Sequence, residues 1–100
     1  MLYYTQLIYV QEGQEAVFND FEAHVLPLLQ RHGGQLLYRA RPGRPDVIET
    51  ALEYPYEIHL VSFPARESFE AYRDDPERLQ YMPLKDRSVR KALLIEGKLL

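Results

Sequence analysis

The three histidines are the residues of this chain best suited to proton transfer, because imidazole titrates near neutral pH. His24 lies about 80° from the centre of a predicted helix's apolar stripe. It is either an amphipathic boundary residue or a proton-transfer group at a cleft mouth. His59 lies in a strand-like segment, as either a core residue with a hydrogen-bond partner or a cavity-lining group, and Glu57 would share its face. We name His24 and His59 as candidate catalytic residues.

The third histidine and the remaining motifs do not predict a metal or cofactor site. His32 directly precedes Gly33 at a predicted helix C-terminus, where the helix dipole favours a cation, so we interpret it as a cap. His24 and His32 are separated by about 12 Å of helical rise, which is too far to share one metal ion. The chain has no cysteine, no phosphate-binding loop and no dinucleotide fingerprint. We predict no metal ligands and no cofactor.

Tyrosines and a short basic run are the candidate ligand-binding residues. The eight tyrosines either pack at an interface or bring hydroxyl groups to an aromatic ligand. The residues named for the second role are Tyr4, Tyr38, Tyr56 and Tyr72. Arg39 begins a basic run, with Arg41 and Arg44, around a Pro-Gly turn. This run is either a solvated loop or a docking point for an anionic substrate, and Arg39 is included as a candidate ligand-binding residue.

Alternating and helical hydrophobic patterns define the elements that must position these residues. Strands are predicted at Leu2–Val10, Gln35–Ala40, Tyr56–Phe63 and Ala92–Glu96, and Val47–Thr50 is predicted to be extended. Helices are predicted from Glu15 to about His32, after Pro64, from Asp75-Pro76 through Met82, and over Leu84–Lys91.

The first helix has a predicted break and a predicted end. Pro27 lies inside its apolar pattern, and a proline ring clashes with the carbonyl one turn earlier. We therefore expect a bend or break between Ala23 and Pro27. The pair Gly33-Gly34 is typical of a helix C-cap.

The order of elements is strand, helix, strand, strand, helix, strand, which predicts an α+β ferredoxin-like βαββαβ sandwich over a single domain, residues 1–100. The first and third strands carry apolar residues on both faces, whereas helices in this fold cover only one. A second copy of the chain is the simplest cover for the other face. We therefore predict a homodimer.

Charge and composition exclude several classes of function. The net charge is −3 and the pI is near 5.6, which argues against binding nucleic acid by phosphate neutralisation. No apolar run approaches the roughly 20 residues of a membrane span, and the N-terminus lacks a signal-peptide pattern. We expect a cytoplasmic protein with neither nucleic acid nor membrane among its partners.

Several motifs together resemble a known bacterial family. They are Pro27-Leu28-Leu29, Arg31-His32-Gly33-Gly34, Leu36-Leu37-Tyr38-Arg39, Ile48-Glu49, His59-Leu60-Val61-Ser62-Phe63-Pro64, Phe69 with Tyr72, Asp75-Pro76, and Leu94-Ile95-Glu96-Gly97. This pattern resembles the family called domain of unknown function thirteen-thirty, in the dimeric α+β barrel superfamily. The resemblance implies that two ferredoxin-like sheets pack face to face as a barrel. Haem-degrading members use Asn, Trp and His, and this chain has no Trp.

The resulting functional hypothesis is a small-molecule-binding protein or a cofactor-independent enzyme, similar to a monooxygenase or isomerase. It would act on a small aromatic or acidic metabolite, with proton transfer by His24 or His59 and hydrogen-bond donation by tyrosines. The alternative is a non-catalytic homodimeric module for ligand sensing or protein interaction. A cavity lined by His and Tyr favours the first hypothesis, and a cavity filled by side chains favours the second.

Overall fold

A computed structural model describes residues 1–100 and contains one antiparallel four-stranded sheet. The strands are β1 (Leu2–Val10), β2 (Gln35–Ala40), β3 (Glu57–Phe63) and β4 (Val89–Gly97), in the spatial order β2-β3-β1-β4. The helices are α1 (Glu15–Val25), α2 (Arg66–Arg73), α3 (Pro76–Leu79) and α4 (Met82–Ser88). This is the ferredoxin-like α+β arrangement predicted from the order of elements, which is therefore confirmed.

The predicted break at Pro27 is present. α1 ends at Val25, and the chain continues from Leu26 to His32 as a tighter 3-10 helix with Pro27 in its first turn. Proline is tolerated there because its missing N–H would have had no helical partner. Gly33 ends this segment in the left-handed conformation, with φ of 73°, as the Gly-Gly signal predicts.

Two details of the predicted elements are wrong. Pro83 does not end a helix but lies in the first turn of α4, so this helix begins at Met82 and ends at Ser88. Lys91, predicted to be helical, instead pairs with Tyr9 in the β1–β4 ladder. Val47–Thr50, predicted to be extended, follows a short 3-10 turn at Arg44–Asp46 and belongs to no strand of the sheet, and Val47 itself has extended backbone angles.

The strand register decides which side chains meet the helices. Tyr4 stands opposite Val61, and Gln6 stands opposite His59. Tyr4, Leu29 and Phe63 form the centre of the core, and the Tyr4 ring stacks on Phe69 of α2 at 4.4 Å between centroids. The face of the sheet bearing Tyr4 and His59 is therefore the one that the helices cover. No helix of this chain is long and apolar enough to cross a bilayer.

The other face of the sheet, which we call the open sheet face, is apolar and carries no helix. It is formed by side chains that alternate with the buried ones, namely Tyr3, Leu7, Ile58, Leu60, Leu93 and Ile95. Leu93 and Ile95 are 41% and 50% exposed. The prediction that β1 and β3 carry apolar residues on both faces is confirmed by this register.

Replacement of Gly34 by Ala should destabilise the fold, because the added Cβ would lie 2.7 Å from the Phe63 ring and 3.0 Å from the Leu29 carbonyl oxygen. We expect Gly34→Ala to lower the free energy of unfolding by about 1–3 kcal/mol, measured by urea denaturation. Gly97→Ala is the control, since a Cβ there meets nothing within 4 Å. Equal midpoints for the two variants would contradict this account.

Candidate active site

A cavity of about 290 Å³ lies between the helix-covered face of the sheet and the helices. Its walls are mainly apolar and include Phe18, Phe21, Val25, Val61, Phe63 and Phe69. A few polar side chains interrupt these walls, namely Gln6, Glu22, His59, Tyr72, Arg78 and Lys85. An apolar pocket with a few converging polar groups is the usual form of a small-molecule site.

Glu57 is fully buried and fixes His59 at the floor of this cavity. Its carboxylate accepts hydrogen bonds from Arg39 Nε at 3.0 Å, from Arg41 Nε at 2.7 Å, and from His59 Nε2. Burial alone would raise the pKa of Glu57, but these three hydrogen bonds outweigh it and lower the pKa to about 2. Because the carboxylate is ionised and only accepts, the His59 proton is held on Nε2.

Glu22 is the second buried carboxyl group near His59, and its environment is the opposite of that of Glu57. It projects from α1, is 5% exposed, and its Oε2 lies 3.9 Å from His59 Nε2 without a hydrogen-bond partner. Burial raises the pKa of Glu22 to about 7, with His59 opposing the shift and the charge of Glu57 adding to it. Glu22 can therefore gain or lose a proton near neutral pH.

Arg78 supplies a complementary donor. Its Nε and the Glu22 Oε2 are the two buried side-chain polar atoms of the chain that lack a hydrogen-bond partner. Both residues line the same cavity. Buried polar groups are nearly always paired in folded proteins, so an unpaired donor and an unpaired acceptor in one cavity indicate a missing polar partner.

Glu22, Glu57 and His59 also have the residue types of a metal site, with ligand atoms that lie within 4.8 Å of one another. Both Glu57 oxygens, however, are already engaged by guanidinium groups. A divalent cation would have to displace or oppose the positive charges of Arg39 and Arg41. The cluster as arranged favours a shared proton over a metal ion.

The structure places two of the four named tyrosines at the cavity. Tyr4 donates its hydroxyl proton to Glu96 at 2.8 Å, and burial together with this bond raises its pKa to about 12. Its ring therefore lines the cavity while its hydroxyl is already engaged. Tyr72 donates more weakly, to the Val25 carbonyl oxygen at 3.3 Å, and burial raises its pKa. Of the two, Tyr72 is better placed to donate to a ligand.

His24 and Tyr56 lie outside the cavity, contrary to the sequence-based grouping. The His24 side chain is 42% exposed, its Nδ1 is 2.8 Å from the Asp20 carbonyl oxygen, and its ring stacks on Tyr81. The break at Pro27 does not open a cleft beside it, because Tyr81 covers that position. Tyr56 packs its ring edge-on against Phe18 beneath the Arg41 guanidinium. Neither residue lines this cavity.

Tyr38 and Arg39, both named from the sequence as candidate ligand-binding residues, lie on opposite faces of the sheet. The β2–β3 register shifts between Leu36 and Tyr38, so Tyr38 stands opposite Leu60 on the open sheet face and is 56% exposed. Arg39 then stands opposite His59 and binds Glu57. Tyr38 is therefore not a cavity residue, and Arg39 acts through Glu57 rather than by contact with a ligand.

Sequence reasoning missed Glu22, Arg78 and Lys85. Glu22 had a recognisable signal, because it lies four residues after Phe18 and three before Val25, inside the apolar stripe of α1. A charged residue in a buried stripe requires an explanation. Arg78 and Lys85 lie in two short helices whose boundaries the prolines obscured, so the sequence gave no comparable signal for them.

Comparison with known proteins supports the fold. No protein-family model and no curated protein matches the chain. A protein of unknown function from Rhodopseudomonas palustris superposes with a TM-score of 0.83 at 15% identity, covering 99% of this chain and 82% of that one. A dimeric ferredoxin-like protein of unknown function from a Jannaschia species superposes at 0.72 with 18% identity, over 98% of each chain.

A third similar structure carries a family name. It is a dabb family protein with a ferredoxin-like fold from Mesorhizobium loti, with a TM-score of 0.65 and 17% identity over 99% of this chain and 96% of that one. These similar structures define the class of the fold as ferredoxin-like. The Jannaschia protein among them is described as dimeric. At such low identity they carry no assignment of substrate or reaction.

The raised pKa of Glu22 has a consequence for stability. In the unfolded chain Glu22 ionises near pH 4.5, and in the folded chain near pH 7, so its contribution to stability is lost as pH rises between these values. Glu22→Gln has no such loss. We expect the variant to gain about 2–3 kcal/mol relative to the parent between pH 4.5 and pH 7.5. Urea denaturation curves across this pH range measure the difference, and a pH-independent difference would contradict the assignment.

Proposed function

We propose that this chain is a small-molecule-binding protein whose cavity moves a proton to or from a small aromatic compound without a cofactor. The observation that carries the proposal is the unpaired pair of polar atoms, Glu22 Oε2 and Arg78 Nε, in one apolar cavity. A ligand oxygen would accept from Arg78, while Glu22 would exchange a proton with the ligand.

The size and walls of the cavity support a ligand with a single ring. About 290 Å³ lies at the lower end of the ~300–1,000 Å³ range of ligand pockets. Phe21, Phe69 and Tyr72 offer aromatic faces and edges for stacking. Arg73 and Arg78 bring positive charge to the same cavity, which favours a ligand with a carboxylate, phenolate or carbonyl oxygen.

The arrangement around His59 supports proton transfer rather than binding alone. Glu57 holds the imidazole in one tautomer and stabilises it when it is charged. Glu22, 3.9 Å away, has a pKa near the working pH, which is where a general acid or base is most effective. His59 is thus retained from the sequence-based prediction, and Glu22 is added as its partner.

A matched pair of histidine variants tests this function. His59→Gln keeps a donor for Glu57 but removes the titrating ring from the cavity, whereas His24→Gln changes a ring outside it. With a panel of benzoate, salicylate and 4-hydroxybenzoate, we expect thermal shifts for the parent protein and for His24→Gln. The response of His59→Gln should fall at least about tenfold in apparent affinity. An unchanged response in His59→Gln would refute the assignment.

We propose also that residues 1–100 form one domain of a homodimer joined through the open sheet face. Apolar side chains there, including Leu60, Leu93 and Ile95, are covered by no helix, and a large exposed apolar surface usually marks an interface. The Jannaschia protein of similar fold is described as dimeric. The resemblance to the thirteen-thirty family implies the same face-to-face packing.

Substitutions at two aliphatic residues of similar exposure test the proposed interface. Ile95 lies on the open sheet face and is 50% exposed, while Leu79 lies on α3 and is 48% exposed. We expect light scattering at micromolar concentration to report a dimer for the parent and for Leu79→Glu, but a monomer for Ile95→Glu, because buried unpaired charge is costly. A monomeric parent protein would contradict the proposal.

A further inference from the structure

Lys85 is the one lysine of the chain placed in the cavity. It projects from α4, which packs on α1, and it lines the same cavity as Glu22 and Arg78. No carboxylate lies within ion-pair distance of its amine, whereas Lys91 lies 3.6 Å from Glu53 and is half exposed. The third lysine, Lys98, is exposed in the C-terminal segment. Lys85 is therefore a half-buried amine at the cavity wall without an ion-pair partner.

The surroundings of Lys85 lower the pKa of its amine, which makes the uncharged form easier to reach than in an exposed lysine. Burial lowers the pKa of its amine, and the positive charge of Arg78 lowers it further, while Asp86 and Glu22 act weakly in the opposite direction. An uncharged amine is a nucleophile, and enzymes that react through lysine obtain it in this way, by burial and by a neighbouring cation.

We propose that Lys85 is a nucleophilic residue that condenses reversibly with the carbonyl carbon of a small aldehyde or ketone held in this cavity. The proposal deepens the proposed function and rests on it, because it requires the cavity to admit a small aromatic molecule. It specifies that the ligand oxygen of the proposed function belongs to a carbonyl group.

The condensation balances with groups of this chain. The Lys85 amine nitrogen attacks the carbonyl carbon, and one proton passes from this nitrogen to the carbonyl oxygen to give a carbinolamine. Protonation of its hydroxyl by Glu22 lets water leave as the nitrogen lone pair forms the C=N bond, which leaves a protonated imine and an ionised Glu22. When the imine nitrogen returns its remaining proton to Glu22, the net change is amine plus carbonyl giving imine plus water.

The protonated imine would activate the bound molecule for proton removal by the neighbouring acid–base groups. Its positive nitrogen withdraws electrons through the imine carbon, so in a ketone or an aliphatic aldehyde a C–H bond on the carbon next to the imine carbon becomes more acidic. Glu22 and His59 line the same cavity and can accept that proton. Proton removal next to a carbonyl group is thus the reaction class that the site would serve.

Reductive trapping tests the proposal with benzaldehyde as the probe. Benzaldehyde and sodium cyanoborohydride at neutral pH convert an imine into a stable benzylamine, and peptide mass mapping locates it. We expect Lys85 to be labelled at least about fivefold faster than Lys91 and Lys98, because the cavity holds the carbonyl carbon beside its amine and because burial and Arg78 lower the pKa of that amine. Benzoate, which cannot form an imine, should slow labelling of Lys85 alone.

The controls distinguish a failure of the Lys85 proposal from a failure of the proposed binding function. Lys85→Arg keeps a long basic side chain but removes the nucleophilic amine, and it should leave only the slow labelling of Lys91, Lys98 and the N-terminus. Equal labelling of the three lysines in the parent, with no protection by benzoate, overturns the role of Lys85. If benzoate still shifts the amide resonances of Phe21 and Val61 in that case, the binding cavity stands, and if it does not, both proposals fail.

Discussion

The buried negative charge of Glu57 is the constraint on which the rest of the site depends. A carboxylate removed from water is very costly unless it is paired and hydrogen-bonded, and Glu57 has no exposed surface. It is balanced by donors from three places: Arg39 on β2, Arg41 beyond the end of that strand, and His59 on β3 itself. The two guanidinium bonds join β3 to β2 and to the residue that follows β2, while the third bond holds the His59 imidazole in one tautomer. Stability and positioning therefore both depend on the Glu57 carboxylate.

A comparison with Glu57 explains the raised pKa of Glu22. The two carboxyl groups flank one imidazole, yet their pKa values are about 7 and about 2. The difference follows from the donors: Glu57 has three, and Glu22 Oε2 has none within the chain. Two neighbouring titratable groups whose environments separate their pKa values are the usual basis for distinct acid and base roles. Here the fixed charge orients the ring, and the unpaired carboxyl remains available to exchange a proton.

Local signals predicted much of the fold. β1 from Leu2 to Val10 follows from its dense β-branched and aromatic residues, and the end of the first helical region follows from the left-handed turn at Gly33. The site was less predictable, because its residues meet through tertiary packing. His59 and Glu57 share a strand face and could be paired from sequence, whereas the contact of Glu22 with His59 requires α1 to cross β3 at one particular position.

The bulge in β2 shows why a cavity cannot be assigned from strand alternation alone. Regular alternation from Leu36 would place Tyr38 beneath the helices and Arg39 on the open sheet face. The register shift between Leu36 and Tyr38 reverses both positions, since one additional residue turns every later side chain to the other face. Without it, Arg39 would face away from Glu57, and the buried carboxylate would lose one of its two guanidinium partners. The bulge in β2 therefore helps to stabilise the buried charge of Glu57.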